Sequence, residues 1–155
     1  MTFSSAVRRC APVWAACSAT VLYATLAIGV TLAQVPQTPA PPGATVYFIN
    51  LKDGDTVTSP FKVQFGLSGI GVAPAGTENP KTGHHHLIVD ATLSPDELKN
   101  PLPADAKHVH FGGGQTETMV TLPPGTHTLQ LVLGDWQHIP FNPPIVSQVI
   151  RITVK

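Results

Sequence analysis

From residue 45 to the C-terminus, short segments of alternating apolar and polar residues are separated by turn residues. In residues 61–67 every second position, from Phe61 to Leu67, is apolar. A period of two is typical of a β-strand with one buried face. Segments of this kind predict strands over residues 45–51, 61–67, 84–90, 108–111, 115–122, 126–133 and 145–154.

The spacing of these segments predicts an all-β fold. A helix-start signature is found at Ser94–Glu97, and Pro101 ends that helix within a turn or two. Strands of this number and length, with turn signals between them, favour an antiparallel immunoglobulin-like β-sandwich of about seven strands over residues 45–155.

The N-terminal part has a different pattern. Arg8 and Arg9 precede an apolar run over residues 11–32. This predicts a signal peptide over residues 1–33, cut after Ala33. The run could also span a bilayer as an uncleaved anchor, which would be the only membrane contact. Both readings predict an exported domain, periplasmic or extracellular, behind an extended and solvated Pro-rich linker at residues 34–44.

Cysteine and charge narrow the chemistry further. Cys10 and Cys17 both lie in the N-terminal segment, so the exported domain has neither a thiol nor a disulfide. Without Arg8 and Arg9, seven basic residues (nine minus two) face nine acidic ones, and no basic run occurs. This balance argues against nucleic-acid binding. A metal site would need imidazole, carboxylate or thioether ligands.

The seven histidines all lie at or beyond position 84, and three of them form the run His84–His86 at the start of a strand. In the predicted sandwich, the loop before the third strand, the turn after the fourth and the loop after the sixth lie at one end. Six histidines are therefore expected at that end. His127 would lie at the opposite end, in a structural role.

Alternation places residues i and i+2 of a strand on one side. His84 and His86 form one such pair, and His108 and His110 form another, so the two pairs could chelate one ion. His85 is expected to turn away into packing. Imidazole ligands suit a copper or zinc ion, and copper is the preferred prediction. The predicted role is that of a binding or carrier protein rather than a catalyst. The alternative is that these histidines bond to backbone carbonyls or meet solvent. The candidate metal ligands are His84, His86, His108, His110 and His138.

Two other functions remain open. Trp136 and Phe141, in the loop over residues 134–144, could form an aromatic surface that binds an envelope protein or glycan without a metal. Glu117 or Asp135 could act as a general base in a metal-dependent hydrolase or oxidase, although no serine lies in a nucleophile-elbow context.

Four motifs together resemble an exported bacterial family known as domain-of-unknown-function family 4399. They are Gly83–Asp90, His108–Glu117, Leu122–Leu129 and Leu133–Pro140. The resemblance runs from about Val46 to Val154. It departs at Phe141–Asn142, where similar sequences tend to have another histidine. This departure weakens the case for a metal ligand at this edge of the loop. The family name implies no activity, so the resemblance implies export and domain limits only.

Overall fold

A computed structural model describes residue 1 and residues 36–155 of the 155-residue chain. The signal peptide, or anchor, and the cut after Ala33 lie outside the described residues. The unit that holds the strands runs from Gln34 to Lys155. Over the described part of the chain, no helix combines the length and apolar character that crossing a membrane requires.

The described residues form an all-β structure, as predicted. The helix-start signature yields a single 3-10 turn at Glu97–Lys99, where Ser94 and Glu97 exchange capping hydrogen bonds. The strands are β1 (Thr45–Phe48), β2 (Thr56–Val57), β3 (Phe61–Ser68), β4 (Gly71–Val72), β5 (Thr82–Val89), β6 (His108–His110), β7 (Glu117–Val120), β8 (Gly125–Gly134) and β9 (Ile150–Val154).

The strands build two sheets that share one apolar core. One sheet has the order β1-β3-β7, and the other has the order β2-β9-β8-β5-β4, with β6 also paired to β5. Val63 of the smaller sheet packs in the same cluster as Leu87, Leu131 and Ile152 of the larger one, and all four are fully buried. The immunoglobulin-like topology stays a prediction.

The last predicted strand, residues 145–154, is interrupted. Leu129 pairs with Ile150, and Val132 pairs with Val146. The three residue steps from Leu129 to Val132 in β8 therefore lie opposite four residue steps, from Ile150 back to Val146, in the last predicted strand. The extra residue is a β-bulge, which bends a strand and locally stops its pairing. The regular strand consequently begins only at Ile150.

Strand β6 pairs with β5 in the larger sheet, with His110 opposite His86. β6 corresponds to the fourth strand predicted from the sequence. In the constant-type immunoglobulin order, the fourth strand does not belong to the same sheet as the third. Because side chains of directly paired residues lie on the same face of a sheet, this pairing brings two histidines side by side.

Part of the Pro-rich segment is bonded to the domain, where a solvated linker was expected. The amide of Ala40 donates to the carbonyl of Asn142 (2.9 Å), and the amide of Asn142 donates to the carbonyl of Thr38 (2.9 Å). These bonds hold residues 38–40 against the loop that follows β8, because this loop offers backbone groups that need partners.

Candidate metal centre

Strand β5 is almost entirely buried, so successive histidines of its run enter two different environments. The ring of His85 lies in the core between the sheets, 5.2 Å from that of Phe65. Since side chains alternate along a strand, His84 and His86 lie on the opposite, outer face. The predicted separation of His85 from its two neighbours is confirmed.

This outer face is covered by the segment that follows β5. Leu102 packs against Ile88, and its amide donates to the carbonyl of His138 (3.0 Å). Under this cover His84 is 0% exposed and His86 is 1% exposed. Two imidazoles are thus removed from water on a face that a two-sheet fold often leaves solvated.

Four imidazole rings meet here, those of His84, His86, His110 and His138, and we call them the four-histidine cluster. The Nε2 atoms of His84 and His86 are 3.1 Å apart. The ring centroids of His110 and His138 are 4.7 Å apart, and each lies 5.0 Å from that of His84. The longest separation between ring centroids in the cluster, 6.2 Å, is between His86 and His138.

Three separate elements supply these rings. His84 and His86 are the third and fifth residues of β5, and His110 is the last residue of β6. His138 lies in the loop after β8, whose last residue, Gly134, pairs with His84. The ends of β6 and β8 therefore meet at β5, and these strand ends are the ones at which the histidines were expected to converge.

The loop conformation that presents His138 depends on Asp135, whose exposure is 1%. Its Oδ1 accepts hydrogen bonds from the amides of Gln137 (2.9 Å) and Ile139 (3.0 Å). The backbone of His138 has a φ of 69°. This left-handed conformation costs a residue with a Cβ about 1 kcal/mol, so it needs the support of surrounding hydrogen bonds.

Two glycines make room for the rings. A Cβ at Gly112 would lie 2.7 Å from Nε2 of His110, and a Cβ at Gly134 would lie 2.9 Å from Nε2 of His86. Both distances are too short for nonbonded atoms. An alanine at either position would therefore push a ring out of the four-histidine cluster.

Burial lowers the pKa of three imidazoles of the cluster and so favours their neutral form. Desolvation, reinforced by His138 and His110, lowers the pKa of His84 to about 4. Desolvation, with His84 and His110 adding to it, lowers the pKa of His86 to about 2. The pKa of His110 is also lowered, by burial and then by His138. Neutral imidazole is the form that binds a metal ion.

Several ring nitrogens of the cluster lack a protein partner. Nδ1 of His84, Nδ1 of His86 and Nε2 of His110 are buried without a hydrogen bond. A buried polar atom left unpaired costs about 1–3 kcal/mol. Four crowded imidazoles are thus unfavourable by themselves. An ion could bind the unpaired Nε2 of His110, whereas the unpaired Nδ1 atoms of His84 and His86 are not the nitrogens that face each other.

Three of the four rings are spaced so that they could hold one metal ion. Zinc–imidazole bonds of about 2.0–2.1 Å in a tetrahedron place two ligand nitrogens about 3.3 Å apart. The 3.1 Å between Nε2 of His84 and Nε2 of His86 is close to that value. One ring nitrogen each from His84, His110 and His138 also lie within 4.8 Å of one another. These three residues form the group that could hold a metal ion, and His86 is not part of that group.

The fifth sequence-predicted ligand, His108, is engaged elsewhere. Its Nδ1 lies 2.9 Å from Oδ1 of Asp105, and its Nε2 lies 3.7 Å from Oε1 of Glu97. His108 pairs with Ile88, two residues further along β5 than His86. At that level the loop after β5 supplies carboxylates, which hold the ring there. The structure therefore brings together four of the five candidates.

His127 has the structural role that was expected of it. Its Nδ1 lies 2.7 Å from Oδ2 of Asp90, and its Nε2 lies 2.9 Å from the carbonyl of Pro123. These contacts tie the start of β8 to the residue that follows β5. His127 contributes to the fold at this position.

The structure does not give the aromatic candidates or Glu117 the positions that the alternative functions need. Phe141 is fully buried in the core, so it cannot form the expected exposed pair with Trp136, which is itself partly buried. Phe141 is buried because the loop after β8 folds inward between the sheets. Glu117 pairs with Lys62 (2.8 Å) in the smaller sheet.

Two supporting features were missed in the sequence. Thr38 donates its hydroxyl to Oδ2 of Asp135 (2.7 Å), although 97 positions separate the two residues. No local pattern signals a contact over such a separation. The other feature is Gly112, where the absence of a side chain leaves room for the ring of His110.

An all-β domain in which three histidines could hold a metal ion defines a class of candidate metal-binding β-proteins. The chain matches the family described as Domain of unknown function (DUF4399) over residues 63–155. The match covers more than half of the chain, which therefore belongs to this family, as the sequence motifs indicated. It includes every histidine of the four-histidine cluster. No curated protein and no solved structure gives a significant match.

Proposed function

We propose that this protein is an exported domain that binds one transition-metal ion in the four-histidine cluster and serves as a binding or carrier protein. The observation that carries the proposal is the convergence of four imidazoles, two buried and two partly buried, from three elements. The Nε2 atoms of His84 and His86 are 3.1 Å apart, and Nε2 of His110 has no other partner. The proposed ligands are His84, His86, His110 and His138. His108 is left out because Asp105 holds its ring.

Copper is the preferred ion, ahead of zinc. The cluster offers imidazole nitrogen without thiolate, and nitrogen sites bind Cu(II) more tightly than the other divalent first-row ions. Met119, whose thioether would be a soft ligand, belongs to β7 in the smaller sheet and is 57% exposed. An all-nitrogen site also accepts Zn(II), so the ion bound in the cell would depend on supply.

A binding role is supported by the state of the nearest carboxylate. Asp135 already accepts two amide hydrogen bonds on Oδ1 and the Thr38 hydroxyl on Oδ2. Both oxygens of this carboxylate are thus engaged by donors that shape the loop, which gives Asp135 a structural role. The four-histidine cluster therefore has the composition of a holding site.

Titration of the tag-free protein with Cu(II) and Zn(II) tests this proposal. We expect one ion per chain for the unaltered protein. The His86→Ala/His110→Ala double variant should bind at least about 100-fold more weakly, because even the loss of an outer-shell partner costs about 10- to 100-fold.

The matched control is His108→Gln, which removes a histidine outside the cluster and should leave the affinity unchanged. If the double variant binds as tightly as the unaltered protein, the proposed site is wrong. Equal weakening by His108→Gln would show that the loss does not depend on the four-histidine cluster.

A further inference from the structure

Residues 37–40 lie against the loop that carries His138, and they form a ladder of hydrogen bonds with it. Two backbone bonds, both 2.9 Å, join Thr38 and Ala40 to Asn142. The side-chain amide of Gln37 donates to the carbonyls of Pro140 (2.9 Å) and Leu98 (2.7 Å). This short segment thus holds the loop after β8 and the segment after β5 together.

One bond of this ladder reaches the group that shapes the loop. The hydroxyl of Thr38 donates to Oδ2 of Asp135 (2.7 Å), while Oδ1 of the same carboxylate accepts the amides of Gln137 and Ile139. Those two amides flank His138. Because Asp135 is buried, loss of the hydroxyl would leave one of its charged oxygens without this donor, which is costly.

We infer that residues 37–40 form a clamp that positions His138 for metal binding, with Thr38 as its positioning residue. The inference rests on the proposed function, since it concerns the same site. Thr38 acts through Asp135, which fixes the left-handed backbone of His138. The clamp lies upstream of the family match, which begins at residue 63. Residues 63–155, which match the family, would then contain the metal ligands but not the clamp that positions His138.

The test compares Thr38→Val, which keeps the shape and removes the hydroxyl, with Thr38→Ser, which keeps the hydroxyl. Thr58→Val is the matched control at an exposed threonine. Gln37→Ala removes the other side-chain bonds of the clamp and serves as a second variant if Thr38→Val folds poorly. All are made in the full chain and titrated with Cu(II).

We expect Thr38→Val to weaken Cu(II) binding about tenfold, within the range for outer-shell partners, and Thr38→Ser to restore it. Electron paramagnetic resonance of the Cu(II)-loaded Thr38→Val protein should show one coordinated imidazole fewer, as for His138→Ala. Gln37→Ala should change binding in the same direction, and Thr58→Val should change nothing. A merely structural role would not remove one ligand selectively.

A second measurement needs no metal. In the ion-free protein, amide hydrogen exchange at Gln137 and Ile139 should be faster in Thr38→Val than in the unaltered chain. If the unaltered protein binds no ion, the proposed function fails, and this exchange still decides whether the clamp supports the loop. Unchanged exchange and Cu(II) affinity in both clamp variants would overturn the inference, as would equal weakening by Thr58→Val.

Discussion

At the residue scale, alternation along one strand assigns adjacent histidines of β5 to different roles. His85 fills the core beside Phe65, whereas His84 and His86 meet on the outer face. Burial lowers the pKa of His85 to about 4, so this ring is neutral in the folded protein near neutral pH. A run of three histidines therefore provides two candidate ligands and one core residue.

His127 shows how the partners of a histidine decide its charge. Asp90 and the carbonyl of Pro123 are both acceptors, so the ring satisfies both only when each nitrogen carries a proton. The hydrogen bond to Asp90 raises the pKa of His127 above its usual 6.5. The stabilisation is complete below pH 6.5 and is lost as the pH rises through the raised folded value.

We therefore expect His127→Gln to lower the free energy of unfolding more at pH 5.5 than at pH 8.5, by about 0.5–1 kcal/mol, as for a partly exposed ion pair. Urea unfolding followed by circular dichroism at the two pH values measures this difference. Thr58→Val is the control, and it should change the free energy of unfolding by a small and equal amount at both pH values. A loss from His127→Gln that is the same at both pH values would contradict the assigned charge.

At the element scale, the position of β6 makes the four-histidine cluster possible. Its three residues pair with β5, so that His110 faces His86 across the ladder. The glycine turn that follows begins at Gly112, where the absence of a side chain leaves space for the ring of His110. A short strand and its turn together fix one wall of the site.

Two neighbouring glycines of this turn provide a matched pair of variants. Gly112→Ala would place a Cβ 2.7 Å from Nε2 of His110, whereas the nearest atom to a Cβ at Gly113 belongs to the flexible, exposed Gln115. We expect Gly112→Ala to weaken Cu(II) binding about tenfold or more, as the loss of an outer-shell partner does, and Gly113→Ala to leave it unchanged.

Calorimetric titration of both variants checks this expectation, with thermal unfolding to show that each is folded. The space beside His110 would have no part in metal binding if Gly112→Ala bound Cu(II) as tightly as Gly113→Ala does.

Strand alternation predicted most of the fold, because burial of one face leaves a direct mark on the sequence. Residues 61–67 were predicted as a strand, and β3 covers Phe61–Ser68. The sheet to which β6 belongs was not predictable, since three residues carry too little pattern to select a partner strand. The bulge before Ile150 was missed for a similar reason, because one extra residue leaves the apolar pattern nearly intact.

The candidate site was predictable in its location but not in its membership. His108 and His110 share a strand and a face, and the sequence offers no reason to separate them. They differ because Asp105 and Glu97 reach only His108, and the path of the loop that carries these acids is set by tertiary packing. The contact of Thr38 with Asp135 was not predictable for the same reason, because it is also set by tertiary packing.

At the scale of the whole molecule, the site joins parts of the chain that lie far apart in sequence. The family match over residues 63–155 contains the cluster, and the clamp at residues 37–40 lies outside it. Export of this unit, followed by metal binding in an oxidising compartment, is the role we propose for the full chain. The absence of thiols beyond Cys17 is compatible with that compartment, since no cysteine there can be oxidised.

X-ray absorption spectroscopy of the Cu(II)-loaded, tag-free protein tests the central claim most directly, because scattering from imidazole rings counts the histidine ligands. We expect one ion per chain with four imidazole nitrogens at about 2.0 Å, a bond length typical of metal–imidazole coordination. The count should fall to three in His86→Ala and stay at four in His108→Gln. A spectrum with two or fewer imidazoles, or one that His86→Ala does not change, would contradict the four-histidine site.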